Sequence, residues 1–412
     1  PYINRNVLYR ALPYLSYLTI FGYGFTETGD LIGIDDVPLI EAARAFGAAP
    51  VMLLSSITES GNFNSARASR LFNDADLQTT VLDNVLATMR QKGYAGLDID
   101  FEYIDPADRE AFVAFVAAAE QKLSPYGYFV NTDLAPKTSA AQSGLLYEAH
   151  DYAALGEASD TLFLMTYEWG YTYGPPLAVA PIDQVRRVVD YAVSEIDPVK
   201  LLLGIPNYGY DWQLPYEKGV TAARSLGNEE AVALAARYGA EIEYDAASAA
   251  PYFYYTDTEG NAHVVWFEDV RSMLASYDLM DAFDLRGAGY RSPIAGVAFT
   301  IGALSMVGFP FLGGFISKLN FGTAAMEMSE IKTLLVLVTL AISTWLNTVY
   351  FLRTVITLYR PALPDAHYSV EKGKRGFCFS LSCVAFAAVN VALGILSQPI
   401  VNAIAKGLSM FA

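Results

Sequence analysis

Cysteine is almost absent from this chain. The two that occur, Cys378 and Cys383, fall in the last third of its 412 residues, so residues 1–290 can neither build a disulfide framework nor report a redox compartment. Basic charge is scarce as well, with 18 Lys and Arg against 40 Asp and Glu in residues 1–290. Phosphates are repelled by such a surface, which argues against a nucleic-acid partner. The chain opens at Pro1 with no initiator Met and neither the basic nor the apolar part of a leader, and reads as a fragment. The scarcity then changes sign. Residues 291–412 hold 4 Asp and Glu against 9 Lys and Arg, so the composition breaks near Tyr290 into an acidic first part and an apolar, weakly basic second part.

Of what is present, Gly-Leu-Asp-Ile-Asp-Phe-Glu at 96–102 says most. In an extended strand, Asp98, Asp100 and Glu102 share one face and Leu97, Ile99 and Phe101 the other. A strand buried on both faces tolerates stacked acids where they line a functional cavity, because unpaired buried charge is costly. A calcium loop also begins Asp-x-Asp, but it wants polar intervening residues and an early Gly, where this segment has Leu, Ile and Phe. The chemistry indicated is cleavage of a glycosidic bond.

Short apolar segments alternate with amphipathic ones in the order of a parallel α/β protein. Strands are expected at residues 15–24, 51–57, 96–103, 128–134, 161–167, 200–208 and 285–290, and helices at 39–46, 77–92, 107–123 and 184–196. The third helix is marked by Asp105 as N-cap and Pro106 at its first position. Seven strands are visible where a barrel of this kind needs eight, and residues 1–3 fit the stub of a clipped first strand. Residues 213–266 read as a small α+β insertion, with a helix near 229–238, strands at 241–244, 252–256 and 262–266, and a turn at Glu259-Gly260-Asn261. Its aromatic run, Tyr252 to Tyr255, reads as core. Beyond Arg291, three apolar runs at 294–316, 333–358 and 377–396 each have the length to span a bilayer, and three transmembrane α-helices in contact with lipid are expected.

With the acidic strand placed, residues 1–290 resemble glycoside hydrolase family 18. The matching pieces run in family order: Gly-Leu-Asp-Ile-Asp-Phe-Glu at 96–102, Met-Thr-Tyr-Glu at 165–168, Gly-Ile-Pro-Asn-Tyr-Gly-Tyr-Asp-Trp at 204–212 and Leu-Arg-Gly-Ala-Gly-Tyr at 285–290. Gly-Asn-Phe at 61–63, Pro-Lys-Thr at 136–138, and Trp169 with Gly-Pro-Pro at 174–176 resemble the spore-germination branch, whose members cut peptidoglycan and usually carry LysM repeats. The resemblance implies a (β/α)8 TIM barrel, clipped at its first strand and lacking the closing helix, with the site at the C-terminal ends of the strands. It also implies a substrate-assisted retaining mechanism on an N-acetylated glycan, with no cofactor and no metal. Glu102 would be the acid and base. Asp100 would stabilise the cyclised intermediate, Asp98 would share a proton with Asp100, and Tyr167 would hold the acetamide for attack. Glu168, where the wider family mostly has Asp, joins Trp169, Tyr208, Tyr210, Asp211 and Trp212 as expected sugar contacts. Arg291 stands where the family has a Trp after its eighth strand. The alternatives are a truncated proton-translocating membrane subunit carrying the barrel as a passenger, and a barrel that binds glycans without cutting them.

Residues 294–412 resemble the C-terminal part of antiporter-like subunits of proton-pumping NADH:quinone oxidoreductase and sodium/proton antiporters. The residues that carry this are Gly302 to Lys318, in which Gly308, Pro310, Gly313 and Gly314 interrupt a helix and Lys318 matches a proton-path lysine. The two resemblances together read as unrelated genes joined near Tyr290, with a membrane-tethered wall hydrolase as the alternative. The cations Arg353, Arg360, Lys372, Lys374 and Arg375 flank one connection, against Lys318 and Lys332 on the other, which by the positive-inside tendency puts the barrel in the cytoplasm. The family's members are expected at the wall or spore.

Overall fold

The apolar segments form a parallel sheet whose members are β1 (Tyr17–Phe25), β3 (Ala49–Ser55), β4 (Gly96–Asp100), β5 (Phe129–Leu134), β6 (Thr161–Leu164) and β7 (Leu201–Leu203), with β2 (Leu31–Ile32) antiparallel on β1. The computed structural model describes residues 3–58, 60–284, 287–326, 330–360, 377–399 and 402. Two units result, Pro1–Met280 and Asp281–Ala412.

Helices cross over between the strands where the sequence places them. In Ala75–Lys92 the Asp74 side chain accepts from Leu77 N at 3.0 Å, and Gly93 closes the other end at φ 74 with its N–H on Met89 O. Its inner face of Leu77, Val81, Val85 and Met89 follows the helical period and is buried. Asp105 does cap the segment beginning at Pro106, but its first turn is a 3-10 turn, Pro106–Asp108, before the helix Arg109–Leu123. Behind β4 the fully buried Phe101 ring packs against Phe25, Phe72, Phe112 and Phe115, with centroids 5.3 to 6.3 Å apart. Each such ring contributes about 1.5–3 kcal/mol by leaving water.

Three expectations fail here. The segment 200–208 is not one strand: β7 ends at Leu203, and β8 (Tyr208–Leu214) starts a second sheet. Gly204 lies too close to Leu164 O and the Tyr167 ring to carry a Cβ, and Pro206 has no N–H for a ladder, so pairing stops between them. No eighth strand appears among the described residues of 285–290 either. Leu285 and Arg286 lie outside the described residues, and Ala288–Arg291 is a helical turn opened by Gly287 at φ 72. The parallel sheet therefore has six parallel strands among the described residues, not seven or eight. Residue 3, in the expected stub of a first strand, precedes the helix Arg5–Ala11 and is in no strand.

The insertion is a five-stranded antiparallel sheet in the order β10 (Glu243–Asp245), β11 (Ala250–Thr256), β12 (Ala262–Trp266), β8, β9 (Arg224–Gly227), with the helix Asn228–Tyr238 against it. Phe253 is fully buried with Leu226, Ala231, Ala235, Val265 and Phe267. Tyr254, next along the strand, is 57% exposed, so the aromatic run alternates between core and surface.

In the second unit the expected span 294–316 is broken. The helix Pro293–Val307 stops at Gly308, at φ 91 with its N–H on Leu304 O, and a new helix, Gly313–Met326, begins after Pro310 and Phe311. At about 1.5 Å per residue neither piece covers the roughly 30 Å of a hydrocarbon core. Glu330–Leu358, with 29 residues and mean hydropathy 1.8, is the one helix among the described residues long and apolar enough to cross; Phe379–Ile395 is shorter. Three transmembrane helices are thus reduced to one candidate. The basic connection 361–375 lies outside the described residues.

Candidate active site

All five residues of β4 are buried, Leu97 and Ile99 toward the helices and Asp98 and Asp100 on the other face. Asp98 sits beside Leu53 and Asn131, and Asp100 beside Ser55, in the registers of β3 and β5. Asn131 Nδ2 donates to Asp98 Oδ1 at 2.6 Å, and Thr19 adds a second hydrogen bond. Asp100 Oδ1 and Ser55 Oγ are buried without a protein partner. Burial, then the charges of Glu102 and Asp98, pushes the Asp100 carboxyl up to about 8.

Glu102 is not on the strand. β4 ends at Asp100, the Phe101 ring anchors the backbone in the core, and Tyr103 follows at φ 54. Glu102 therefore projects from the turn that leaves the strand's C-terminal end, half-buried where Asp98 and Asp100 are buried. Its carboxyl is raised by burial and by the nearby charge of Glu168. Tyr167 follows β6 and is half-buried; burial raises its phenol, followed by the charges of Asp133, Asp100, Glu102 and Glu168. The three predicted acids and Tyr167 are thus brought together at one end of the sheet.

The expected sugar contacts divide. Glu168, exposed and held at φ 66, accepts from Tyr208 Oη at 3.3 Å and Tyr210 Oη at 3.1 Å. Burial and then Glu168 push the Tyr210 phenol up to about 12. Trp212, on the same face of β8, is fully buried, with Nε1 donating to Gly174 O at 2.9 Å and its ring against Tyr210. That corrects the expectation for Trp212, since a ring with no exposed face cannot stack on a sugar. Asp211 points to the other side of β8, where it accepts from Tyr255 Oη at 2.8 Å and pairs with His263 Nδ1 at 2.9 Å. Its partners belong to the insertion, so it too is separated from the acids. Trp169 lines a groove of about 570 Å³ with Leu177, Pro181, Tyr252, Tyr254 and Trp266.

Sequence reasoning missed Asp133 and Asn131. Both are buried, on the β5 face that meets Asp98, and Asn131 Nδ2 also donates to Asp133 Oδ1 at 3.1 Å. Their signal was an Asn-x-Asp alternation mirroring Asp-x-Asp one strand away. Also missed was the clamp beyond β5: His150 Nδ1 accepts from Ala135 N at 3.3 Å, and Tyr152 Oη donates to Ala135 O at 2.6 Å. Among the described residues no group of three His, Cys, Asp or Glu is arranged to hold a metal ion.

Comparison with known proteins decides the family. The profile of glycosyl hydrolases family 18 matches residues 46–292. The chain belongs to this family. It is 40% identical over 280 residues to the cortical fragment-lytic enzyme of Bacillus subtilis (strain 168), a match covering 68% of this chain and 65% of that protein. The crystal structure of the Bacillus cereus spore cortex-lytic enzyme SleL superposes with a TM-score of 0.65 at 37% identity, covering 67% of this chain and 64% of that one. A chitinase from Chromobacterium violaceum superposes with a TM-score of 0.63 at 27% identity, over 68% and 86% of the two chains. The first unit therefore has the TIM-barrel-like α/β fold of family 18. The chain spans a little under two thirds of the length of the first curated relatives it matches.

Proposed function

We propose that the first unit hydrolyses β-linked N-acetylglucosamine-containing glycans, of the peptidoglycan or chitin kind, by substrate-assisted retention. The observation that carries this is the half-buried Glu102 at the exit of β4, its carboxyl raised above the usual range by burial and by Glu168, near buried Asp100 and Tyr167. A raised carboxyl keeps the proton that a leaving glycosidic oxygen needs. As that bond breaks, the substrate's acetamido oxygen attacks the anomeric carbon, with Tyr167 Oη as its hydrogen-bond donor and Asp100 accepting from the acetamido N–H. Water activated by Glu102 then opens the cyclised intermediate, and the anomeric configuration is retained. Glu168, Tyr208 and Tyr210 fit a neighbouring sugar contact, and Trp169 a more distant one. The cortex-lytic names of the relatives support a spore or cell-wall glycan as the substrate.

The test uses the full chain with N-acetylated oligosaccharides and cortical muropeptides. A thiazoline mimic of the cyclised intermediate should inhibit far more tightly than substrate binds. Weak inhibition combined with a sugar trapped covalently on a carboxylate would replace this mechanism with a two-carboxylate one.

A second reading concerns the second unit: the comparisons lend the antiporter-like resemblance no support, and what favours a membrane-embedded segment there is the broken helix alone. Lys318 Nζ reaches back to donate to Val307 O, one of the carbonyls freed at the break, and to Thr344 Oγ1, both at 2.9 Å. Vesicle flotation of the full chain tests it: recovery in the soluble fraction after carbonate washing would reject the bilayer reading.

A further inference from the structure

The acid face of β4 continues onto β5. Asn131 donates one amide hydrogen to Asp98 and one to Asp133, while its Oδ1 accepts from Thr161 Oγ1 at 2.8 Å, so its amide orientation is fixed by all three contacts. Asp98 and Asp133 are each 7% exposed and accept from the same Asn131 amide. Two buried carboxyls held this close can bond to each other only with a hydrogen on one of them, because ionised carboxylates only accept. Asn131 has no further hydrogen to offer. The titratable groups that face Asp133 are Asp98, Asp100 and Glu102 from β4 and its exit, and Tyr167 from the end of β6. Burial raises both carboxyls, Asp133 well above the usual carboxyl range, with the charges of Asp98 and Asp100 next; Asp98 receives the shorter Asn131 hydrogen bond, 2.6 Å against 3.1 Å at Asp133, which makes it the better place for the negative charge.

We propose that Asp133 is a positioning residue that remains a neutral carboxylic acid through turnover, its O–H given to Asp98, so that Asp98 stays ionised and free to take a proton from Asp100. The proposal rests on the substrate-assisted reading above and extends it. When positive charge develops on the cyclised acetamide, an anionic Asp100 stabilises it best. Asp100 becomes anionic if its O–H bond breaks and a new one forms on Asp98, and the same proton returns when water opens the ring. Asp98 can accept that proton only if it starts as the carboxylate. Asp133 keeps it so.

The experiment compares Asp133→Asn and Asp133→Ala with the unmodified full chain. Asn retains a neutral donor beside Asp98, and Ala does not. The Ala variant should lose roughly 10- to 100-fold in kcat, the scale of losing one hydrogen bond to a buried charge, with KM little moved. Asn should recover most of that loss and leave the alkaline limb of the pH profile in place. If Asp133 were instead ionised, Asn would remove a negative charge, lower the pKa of Asp100 and shift that limb to lower pH. Difference infrared spectra at neutral pH give a readout independent of turnover: the Asn variant should lose one protonated-carboxyl C=O band. A shifted alkaline limb, or no band lost, overturns the proposal. Should the Ala variant fail to fold, the Asn profile and the spectrum still decide. Absence of glycan cleavage by the unmodified chain would reject the proposed function, while the band would still report the protonation of Asp133.

Discussion

Glu102→Gln keeps the shape of the side chain and removes its proton. Two effects follow. The leaving glycosidic oxygen loses its acid, which costs about 10²- to 10⁴-fold in kcat, or about 3–5 kcal/mol of transition-state stabilisation. Asp100 also loses a neighbour, since the charge of Glu102 is the largest contribution after burial to the rise of its carboxyl to about 8. Removing a negative charge favours ionisation, so the Asp100 pKa falls. The assay is steady-state hydrolysis of two N-acetylglucosamine glycosides, one with an alkyl or sugar leaving group and one with a nitrophenol. A phenolate needs little help from an acid, so the deficit of the Gln variant should shrink sharply on the second substrate. An equal deficit on both, or turnover within a few-fold of the unmodified chain on the first, would refute the role given to Glu102.

Asp100→Asn tests the electrostatics without substrate. A carboxyl whose folded pKa lies near 8 and whose unfolded pKa lies near 4 binds its proton more tightly when folded, so its contribution to stability is full below about pH 4 and is lost as pH rises toward 8. Urea unfolding of the first unit within the full chain should therefore show stability falling by up to about 1.4 kcal/mol per pH unit across that window, and the Asn variant should flatten this dependence. Trp212→Ala should cost about 3–5 kcal/mol of stability, as expected for a fully buried ring, while the KM of the variant that remains folded stays within about twofold; a large KM rise with stability intact would restore Trp212 as a sugar contact.

The sequence made Asp98 and Asp100 legible because alternation is a local property: Leu97 and Ile99 announce a buried face, and the acids take the other. It misled at Glu102 by extending the same alternation two residues too far. The strand ends where its pairing ends: β3 offers Ser55 to Asp100, and no register continues to Glu102. Asp211 was open to better reading, since Tyr210, Asp211 and Trp212 cannot all share a face of one strand. The burial of Trp212 was less accessible, because its partner Gly174 lies 38 residues away in a loop. The break at Gly308 was written in the sequence, which names Gly308 and Pro310 as interrupters, yet a count of apolar residues ran straight across them.

Asp133 marks the limit of such reading. Within β5 the Asn-x-Asp alternation is a weak signal taken alone, because Thr132, between its two polar neighbours, is fully buried and bonds to Ser159 rather than extending an apolar face. What gives Asp133 its chemistry is that β4 and β5 pair with Asp98 opposite Asn131, which places both carboxyls within reach of one amide. A slip of one residue would turn Asn131 and Asp133 into the helix layer and bring Thr132 to the acids instead. Register of that kind is fixed by the whole sheet: by Gly96 beside the Phe129 ring, where a Cβ would lie 2.5 Å from a ring carbon, and by the clamp of His150 and Tyr152 on Ala135 at the other end. The acid ladder of this site is therefore a property of the packed sheet, and only its first two rungs are a property of the motif.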